Sequence, residues 1–295
     1  MITYAKRSLM KRVFCFFFLL FSCTTTILAQ NVRSSLLWEI SGNGLAHPSY
    51  LFGTFHIMCK GDFSVSGVLE NKLKSTGQFY GEIDLDDPNL QTKMMMKMMM
   101  QGKTLQSLMT ESDYQDMSTK FQSITGMSMA MLNNFKPFVP LSLLTIKTVN
   151  CVEQVQPETE LVKMAKENHL SIHGLETADD QIEVIDKEPL DSQIKELKQI
   201  VSGFDSVKNV MSRLLAVYKL RNIDTLYSFM KSTGASEDFE TELLDKRNKK
   251  WIPVIQKAIA EKPTFFAVGA GHLGGPEGVI GLLRKQGYKL TPLMF

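Results

Sequence analysis

Two short stretches lying over two hundred residues apart share one pattern. Tyr50-Leu51-Phe52-Gly53-Thr54-Phe55-His56 and Phe265-Phe266-Ala267-Val268-Gly269-Ala270-Gly271-His272 each carry an apolar strand-like run into Gly-x-x-His. A glycine there permits a sharp turn or a close backbone approach. The histidine then projects beyond the carboxyl end of the strand, where ligands collect in open α/β sheets. Two such histidines can meet at one centre if their strands lie near each other. Glu82 supplies a third group: it sits in Phe79-Tyr80-Gly81-Glu82-Ile83, and a carboxylate in an apolar strand is costly unless paired or metal-bound. Two imidazoles and a carboxylate with an open position form a ligand set for a catalytic divalent ion. Such an ion acidifies water and polarises a carbonyl. Asp84 and Asp86 share the face of Glu82 if that strand continues, which makes them candidate acceptors or bases.

Each signal is weak alone, since an isolated Gly-x-x-His is common and most histidines are structural. The remaining histidines offer less: His47 precedes Pro48 in a turn, and His169 and His173 flank a short extended segment. No Gly-x-Ser-x-Gly elbow, His-Glu-x-x-His helix or phosphate-cradling loop occurs, so serine-hydrolase and zincin chemistry lack their usual markers.

The elements that must position these residues are strand-rich at both ends of the chain and helical between. Leu36–Ile40 and Tyr50–Gly53 are the arms of a hairpin, joined through Ser41-Gly42-Asn43-Gly44 and His47-Pro48. Gln78–Leu85 alternates with a period of two, a strand signature. Thr264–Val268 is a short buried strand, Gly275–Lys285 a helix and Lys289–Leu293 a last strand. Between them come helices over Asn89–Met100, Thr110–Ser123, Pro137–Asn150 and Pro157–Asn168. Three or four more follow over residues 190–260, with breaks expected near Asp224, Gly234 and Pro253. The methionine run Met94–Met100, interrupted only by Lys97, is expected to face the core. The fold class is α/β: a central mixed sheet at the two chain ends with a large helical insertion over about residues 88–260.

The first thirty residues are targeting rather than fold. Lys6, Arg7, Lys11 and Arg12 precede an apolar run from Val13 to Phe21, and Ile27-Leu28-Ala29-Gln30 closes the segment. That is a secretory signal peptide over residues 1–30, with residues 31–295 as a single mature domain. The run is too short for a transmembrane span of about 20 residues. The protein is therefore expected to be exported, periplasmic or extracellular. A second reading of Leu20-Phe21-Ser22-Cys23 makes Cys23 an acylated lipid anchor. The leader holds four of the 33 basic residues and none of the 31 acidic ones, which leaves the remainder near −2. A near-neutral protein has no electrostatic footprint for nucleic acid. Cys59 and Cys151 remain after the leader; a disulfide or two buried thiols are favoured over a His56-x-x-Cys59 metal pair.

The paired Gly-x-x-His motifs and the glutamate resemble the TraB/PrgY/GumN family, which includes the Tiki proteases. Gly174-Leu175-Glu176-Thr177 with Gln181 is similar to the family's Gly-Leu-Glu-Thr segment, and Leu244-Asp245-Lys246-Arg247-Asn248 to its Arg-Asn helix. Val268–Leu273, Gly278 and Leu282–Tyr288 resemble its closing segment. The resemblance spans nearly all the chain after the leader, in order. It implies a fold related to erythromycin-esterase-like and ChaN-like proteins, with His56, Glu82 and His272 as catalytic or metal-binding centre. From the Tiki branch it implies a peptidase using manganese, cobalt or zinc, and a peptide or small-molecule substrate is the partner expected from this resemblance. Arg247 and Asn248 become candidates to line the site, Arg247 either as an oxyanion or carboxylate partner or as a structural salt bridge. Glu176 is expected to be structural. Two other readings stay open: a metal-free esterase-like hydrolase using His and Glu acid–base chemistry, and a non-catalytic haem, metal or peptide binding protein.

Overall fold

Eight strands and eleven α-helices make up the described part of this computed structural model, which covers residues 34–65, 67–233 and 241–295. The expected signal peptide, Cys23 and the break at Gly234 lie outside the described residues. Strands β1 (Leu37–Ser41), β2 (Ser49–Thr54), β4 (Gln78–Gly81), β6 (Ser171–Gly174), β7 (Thr264–Gly269) and β8 (Lys289–Leu293) form one six-stranded sheet in the order β6-β4-β7-β2-β1-β8. β1 runs antiparallel to both β2 and β8, whereas β2, β7, β4 and β6 are mutually parallel. The chain is thus α/β with a mixed sheet.

The apolar runs explain this arrangement. Every residue of β2 and of β7 is buried, as expected for central parallel strands covered on both faces. Phe79 and Phe265 stack at 6.1 Å across the β4–β7 pair. Helices α1 (Gly67–Lys74), α5 (Pro157–Glu167), α10 (Lys246–Glu261) and α11 (Val279–Lys285) bury Leu69, Leu161, Trp251 and Leu283 in the same core. A second apolar cluster, with Phe121, Leu144 and Leu197 at its centre, joins α3 (Glu111–Thr125), α4 (Phe138–Thr148) and α7 (Leu190–Ser202). The remaining helices are α2 (Leu90–Lys97), α6 (Ala178–Asp186), α8 (Phe204–Lys219) and α9 (Ile223–Ser232). Among the described residues, no helix is long and apolar enough to cross a membrane.

Several expectations need revision. The Gln78–Leu85 strand ends at Gly81, and Glu82 begins a turn. The alternation beyond it belongs to that turn, where Asp84 Oδ1 accepts from the Asp86 amide at 2.9 Å. The methionine run faces the core only in part: Met98 is buried and Met100 packs on the second cluster, but Met96 is 65% exposed and α2, which ends at Lys97, buries none of its own residues. A run of consecutive methionines is apolar on every helical face, so periodicity could not orient it. Pro253 lies inside α10 rather than at a break. Its ring faces solvent, while the buried stripe through Trp251, Ile252, Ile255 and Ile259 holds the helix together against a local cost of roughly 3 kcal/mol. The final helix starts at Val279, because Gly275, with φ 82°, closes a turn first. The helical stretch is also interrupted, since β6 returns from its middle to the sheet edge beside β4.

Candidate active site

Three adjacent parallel strands each deliver one residue to the same edge of the sheet. β2 and β7 pair with Thr54 opposite Gly269, so His56 and His272 leave neighbouring strands. β4 flanks β7 on the other side, and Glu82 is the first residue past its end. The two Gly-x-x-His stretches therefore converge through direct pairing. Their glycines serve close approach. A side-chain carbon on Gly53 would lie 2.6 Å from Leu273 Cδ1. One on Gly269 would lie 3.2 Å from Glu82 Oε1 and 3.3 Å from His56 Nε2. Gly269 is the point about which the centre is drawn.

Glu82, 11% exposed in its side chain, is satisfied on both oxygens. Oε1 accepts from the Gly269 amide at 2.7 Å. Oε2 accepts from Arg247 Nη2 at 2.6 Å and from Gln181 Nε2 at 3.3 Å. Burial pushes this carboxyl up, but the charges on His272, His56 and Arg247 and the Gly269 amide more than offset it and hold it at about 2. His272 is itself neutral at ordinary pH, so near neutrality Arg247 and His56 carry that effect.

His272 is 4% exposed. Burial, with the Arg247 charge beside it, depresses its pKa to about 3 against the pull of Glu82. Its tautomer follows from its partners. Arg247 can only donate, so Nε2 accepts from Nη1 at 3.2 Å. Nδ1–H then donates to Asn248 Oδ1 at 2.7 Å, and Asn248 is held by the Glu277 carbonyl at 2.9 Å. Trp251 packs on the imidazole with ring centres 4.4 Å apart.

Arg247 and Asn248 occupy the first turn of α10, which follows a π-helical segment, Thr241–Asp245. Glu176, just past β6, grips the guanidinium at 2.6 Å on Nη2 and 3.0 Å on Nε. Trp251 Nε1 donates to the other Glu176 oxygen at 3.0 Å. The salt-bridge reading of Arg247 is seen directly: Glu176 holds one side of the guanidinium, whose other contacts include Glu82 and His272. Glu176 is structural, as expected.

His56 differs from His272 in every respect of environment. Its side chain is 72% exposed and lines a cavity of about 390 Å³ with Glu82, Glu158, Gln181 and Arg247. Nδ1 donates to Glu158 Oε1 at 2.7 Å, and Thr54 Oγ1 donates to the same oxygen at 2.6 Å. The hydrogen bond to Glu158 raises the imidazole pKa to about 9 in spite of partial desolvation. Glu158 is the group at this centre that the sequence did not disclose. It stands in the first turn of α5 behind Pro157, where an acidic residue reads simply as favourable to the helix dipole. No local signal marks it.

The other candidates lie elsewhere. Asp84 lines a surface hollow with Tyr80 and His173, and Asp86 pairs with Lys166. His173 packs on Tyr80 at 4.9 Å, and His169 adopts φ 58° in the turn before β6. Cys59 is bonded to Cys151, which removes it as a ligand. That disulfide adjoins the small β3 (Met58–Cys59) and β5 (Gln154–Val155) ladder. Ladder and disulfide together clamp the segment after His56 to the segment before Glu158.

The side chains as placed gather around the Arg247 guanidinium. Among the described residues, no three His, Cys, Asp or Glu groups stand in positions to hold a metal ion. The comparison with protein families matches residues 36–292 to the TraB/PrgY/gumN family. No curated protein and no solved structure matches the chain.

Proposed function

The chain belongs to the TraB/PrgY/gumN family, and we propose that it is a hydrolase cleaving peptide bonds at the His56–Glu82–His272 centre with a divalent ion held there. The observation that carries this reading is the convergence of the three residues from adjacent strand ends, with each histidine anchored through Nδ1 and its Nε2 left for another partner, which for His272 is now Arg247. A carboxylate or carbonyl on the far nitrogen is the usual way a ligating histidine is oriented. The donors suit manganese, cobalt or zinc: His56 and His272 through Nε2, and Glu82 through its carboxylate. Arg247 stands in for the cation in the present arrangement, so its contact with Glu82 must loosen when an ion enters. Bound there, a divalent ion would supply an acidified water and a polarised carbonyl.

The protein's own groups have separable tasks. Glu158 orients His56, Asn248 sets the tautomer of His272, and Glu176 keeps Arg247 extended. Glu82 would hold the ion through one carboxylate oxygen and take a proton from water on the other once Arg247 releases it. Arg247 is placed to bind a carbonyl oxygen as charge develops on it, or a substrate carboxylate. Water adds to the carbonyl carbon, the carbon–nitrogen bond breaks, and the proton taken from water ends on the leaving amine. The disulfide suits an oxidising compartment outside the cytoplasm, in keeping with an exported enzyme.

A second reading, a metal-free hydrolase, is favoured by one observation: Arg247 already occupies both Glu82 Oε2 and His272 Nε2. In that case Glu82 is the base and the His56 imidazolium the acid. The deciding experiment measures metal content of residues 31–295 by mass spectrometry beside His56→Ala/His272→Ala, with peptide-library cleavage in parallel. Near-stoichiometric manganese, cobalt or zinc that is lost in the double variant, together with cleavage abolished by His56→Ala, Glu82→Ala or His272→Ala, is expected. Cleavage without metal after reconstitution with each ion would move the assignment to the second reading. Full turnover in any single variant would remove that residue from the centre.

A further inference from the structure

The cavity beside His56 and Glu82 extends beyond them. Phe138 on α4, Val184 and Ile185 on α6, and Leu243 on the π-helical segment line it and also line a second cavity of about 300 Å³. The two are therefore one groove with an apolar middle shared by four side chains. The far part is acidic. Glu188, Glu196 and Glu242 line it, with Lys187 as the one cation among the described residues.

Lys187 does not neutralise that end. It is paired with Glu242 at 2.7 Å, and Glu242 is also bound by Lys246. Glu188 and Glu196 line the same cavity, close enough for the charge on one to act on the other, and neither has an ion-pair partner among the described residues. Burial, reinforced by the charge on Glu188, pushes the Glu196 carboxyl up. A pair of like charges in a half-buried wall is unfavourable until a cation arrives.

The same wall contains a buried polar atom without a hydrogen-bond partner. Gln193, 5% exposed, lines the same cavity and spends its Nε2 on the carbonyls of Ile185 at 3.2 Å and Glu188 at 2.8 Å. Those bonds brace the corner between α6 and α7. Its Oε1 is the one enclosed side-chain acceptor among the described residues without a hydrogen-bond partner. Buried polar atoms are rarely left so.

We propose that this groove is the specificity site of the enzyme, taking a peptide whose bulky apolar residue packs on Phe138, Val184, Ile185 and Leu243 and whose lysine or arginine beyond it is held by Glu188 and Glu196. It rests on the hydrolase reading above and adds the substrate class: peptides with an apolar residue followed by a basic one. The apolar wall supplies affinity, and the two carboxylates supply discrimination, because a substrate acid placed there would add a third like charge.

The test uses residues 31–295 with His56→Ala to stop turnover, and two fluorescein-labelled peptides that differ only in Leu-Lys against Leu-Glu. Anisotropy titration is expected to show the Leu-Lys peptide bound at least tenfold more tightly. Glu188→Gln/Glu196→Gln should erase that difference, and Val184→Asp should weaken both peptides. Equal affinities, a preference that survives the double glutamine variant, or no binding of either peptide would overturn the groove assignment. Cleavage by the unaltered protein is scored separately. Preferential binding without cleavage, after reconstitution with each ion, leaves the groove standing and removes the hydrolase. Cleavage with no basic preference does the reverse.

Discussion

Arg247 Nη2 lies 2.6 Å from Glu82 Oε2, so the carboxylate at the heart of the site already holds a cation contributed by the chain itself. The same guanidinium is gripped from behind by Glu176, which is 4% exposed in its side chain. One arginine therefore bridges two buried carboxylates, Glu176 and Glu82.

Removing that bridge should expose its double role. Arg247→Met leaves Glu176 buried without its partner and is expected to destabilise the protein by about 3–5 kcal/mol. Adding Glu176→Gln should return part of that loss, since the stranded charge is gone. Urea midpoints of the two single variants and the double variant give the coupling. Activity should stay down by about 10²–10³-fold in all three. A double variant no more stable than Arg247→Met would break the link between Glu176 and Arg247.

Glu158 should govern His56 without touching substrate. Glu158→Gln is expected to bring the His56 pKa from about 9 back toward its ordinary value near 6.5. Metal affinity should fall by about 10–100-fold. The His56 ring resonances followed by NMR across pH 5–10 check the first, and metal titration checks the second. An unmoved titration curve would deny Glu158 its orienting role.

The two histidines should oppose each other in stability. His56 is raised to about 9, so its stabilisation is complete below about 6.5 and is lost as pH climbs to 9. His272 is lowered to about 3, so its contribution is present above about 6.5 and is lost as pH falls toward 3. Glu82, held at about 2, adds to the acid side below about 4.5. Apoprotein Tm should peak near pH 6.5, and His56→Ala should flatten the alkaline limb alone. A variant that keeps the wild-type alkaline slope contradicts the pairing with Glu158.

Metal binding should strengthen with pH over the same alkaline window. A proton must leave His56 before Nε2 can ligate, so affinity is expected to rise from pH 6.5 to about 9 and then level off. Isothermal titration at several pH values in buffers of different ionisation heat counts the proton released. Affinity independent of pH would take His56 out of the ligand set.

The disulfide should act on the site as well as on the fold. Cys59→Ser/Cys151→Ser is expected to cost about 2–4 kcal/mol. It should also reduce turnover, because the β3–β5 clamp sets His56 against Glu158. Gly269→Ala is the complementary probe: its methyl would sit beside Glu82 and His56, so activity should drop at least tenfold while Tm shifts little. Normal turnover in Gly269→Ala would place the reacting atoms elsewhere.

Much of this was legible from residue order alone. The hairpin of β1 and β2, the closing strand Lys289–Leu293 and the two Gly-x-x-His stretches carry local marks: alternation, bounded apolar runs, and glycines before histidines; the Arg247-Asn248 pair carries none and is reached only through the family resemblance. Such marks reflect short-range rules of strand, turn and close approach, which neighbouring residues obey together. Tertiary structure decided what depends on partners distant in sequence. Glu158 lies 102 residues from His56 and looks like any first-turn acid until β3 and β5 pair. The opposite protonation of two histidines in near-identical motifs is also a tertiary result, because one is enclosed by Arg247, Asn248 and Trp251 while the other opens to a cleft beside a carboxylate. The exposed methionines belong here too: a run apolar on all faces has no preferred side until the surrounding helices choose which part to cover.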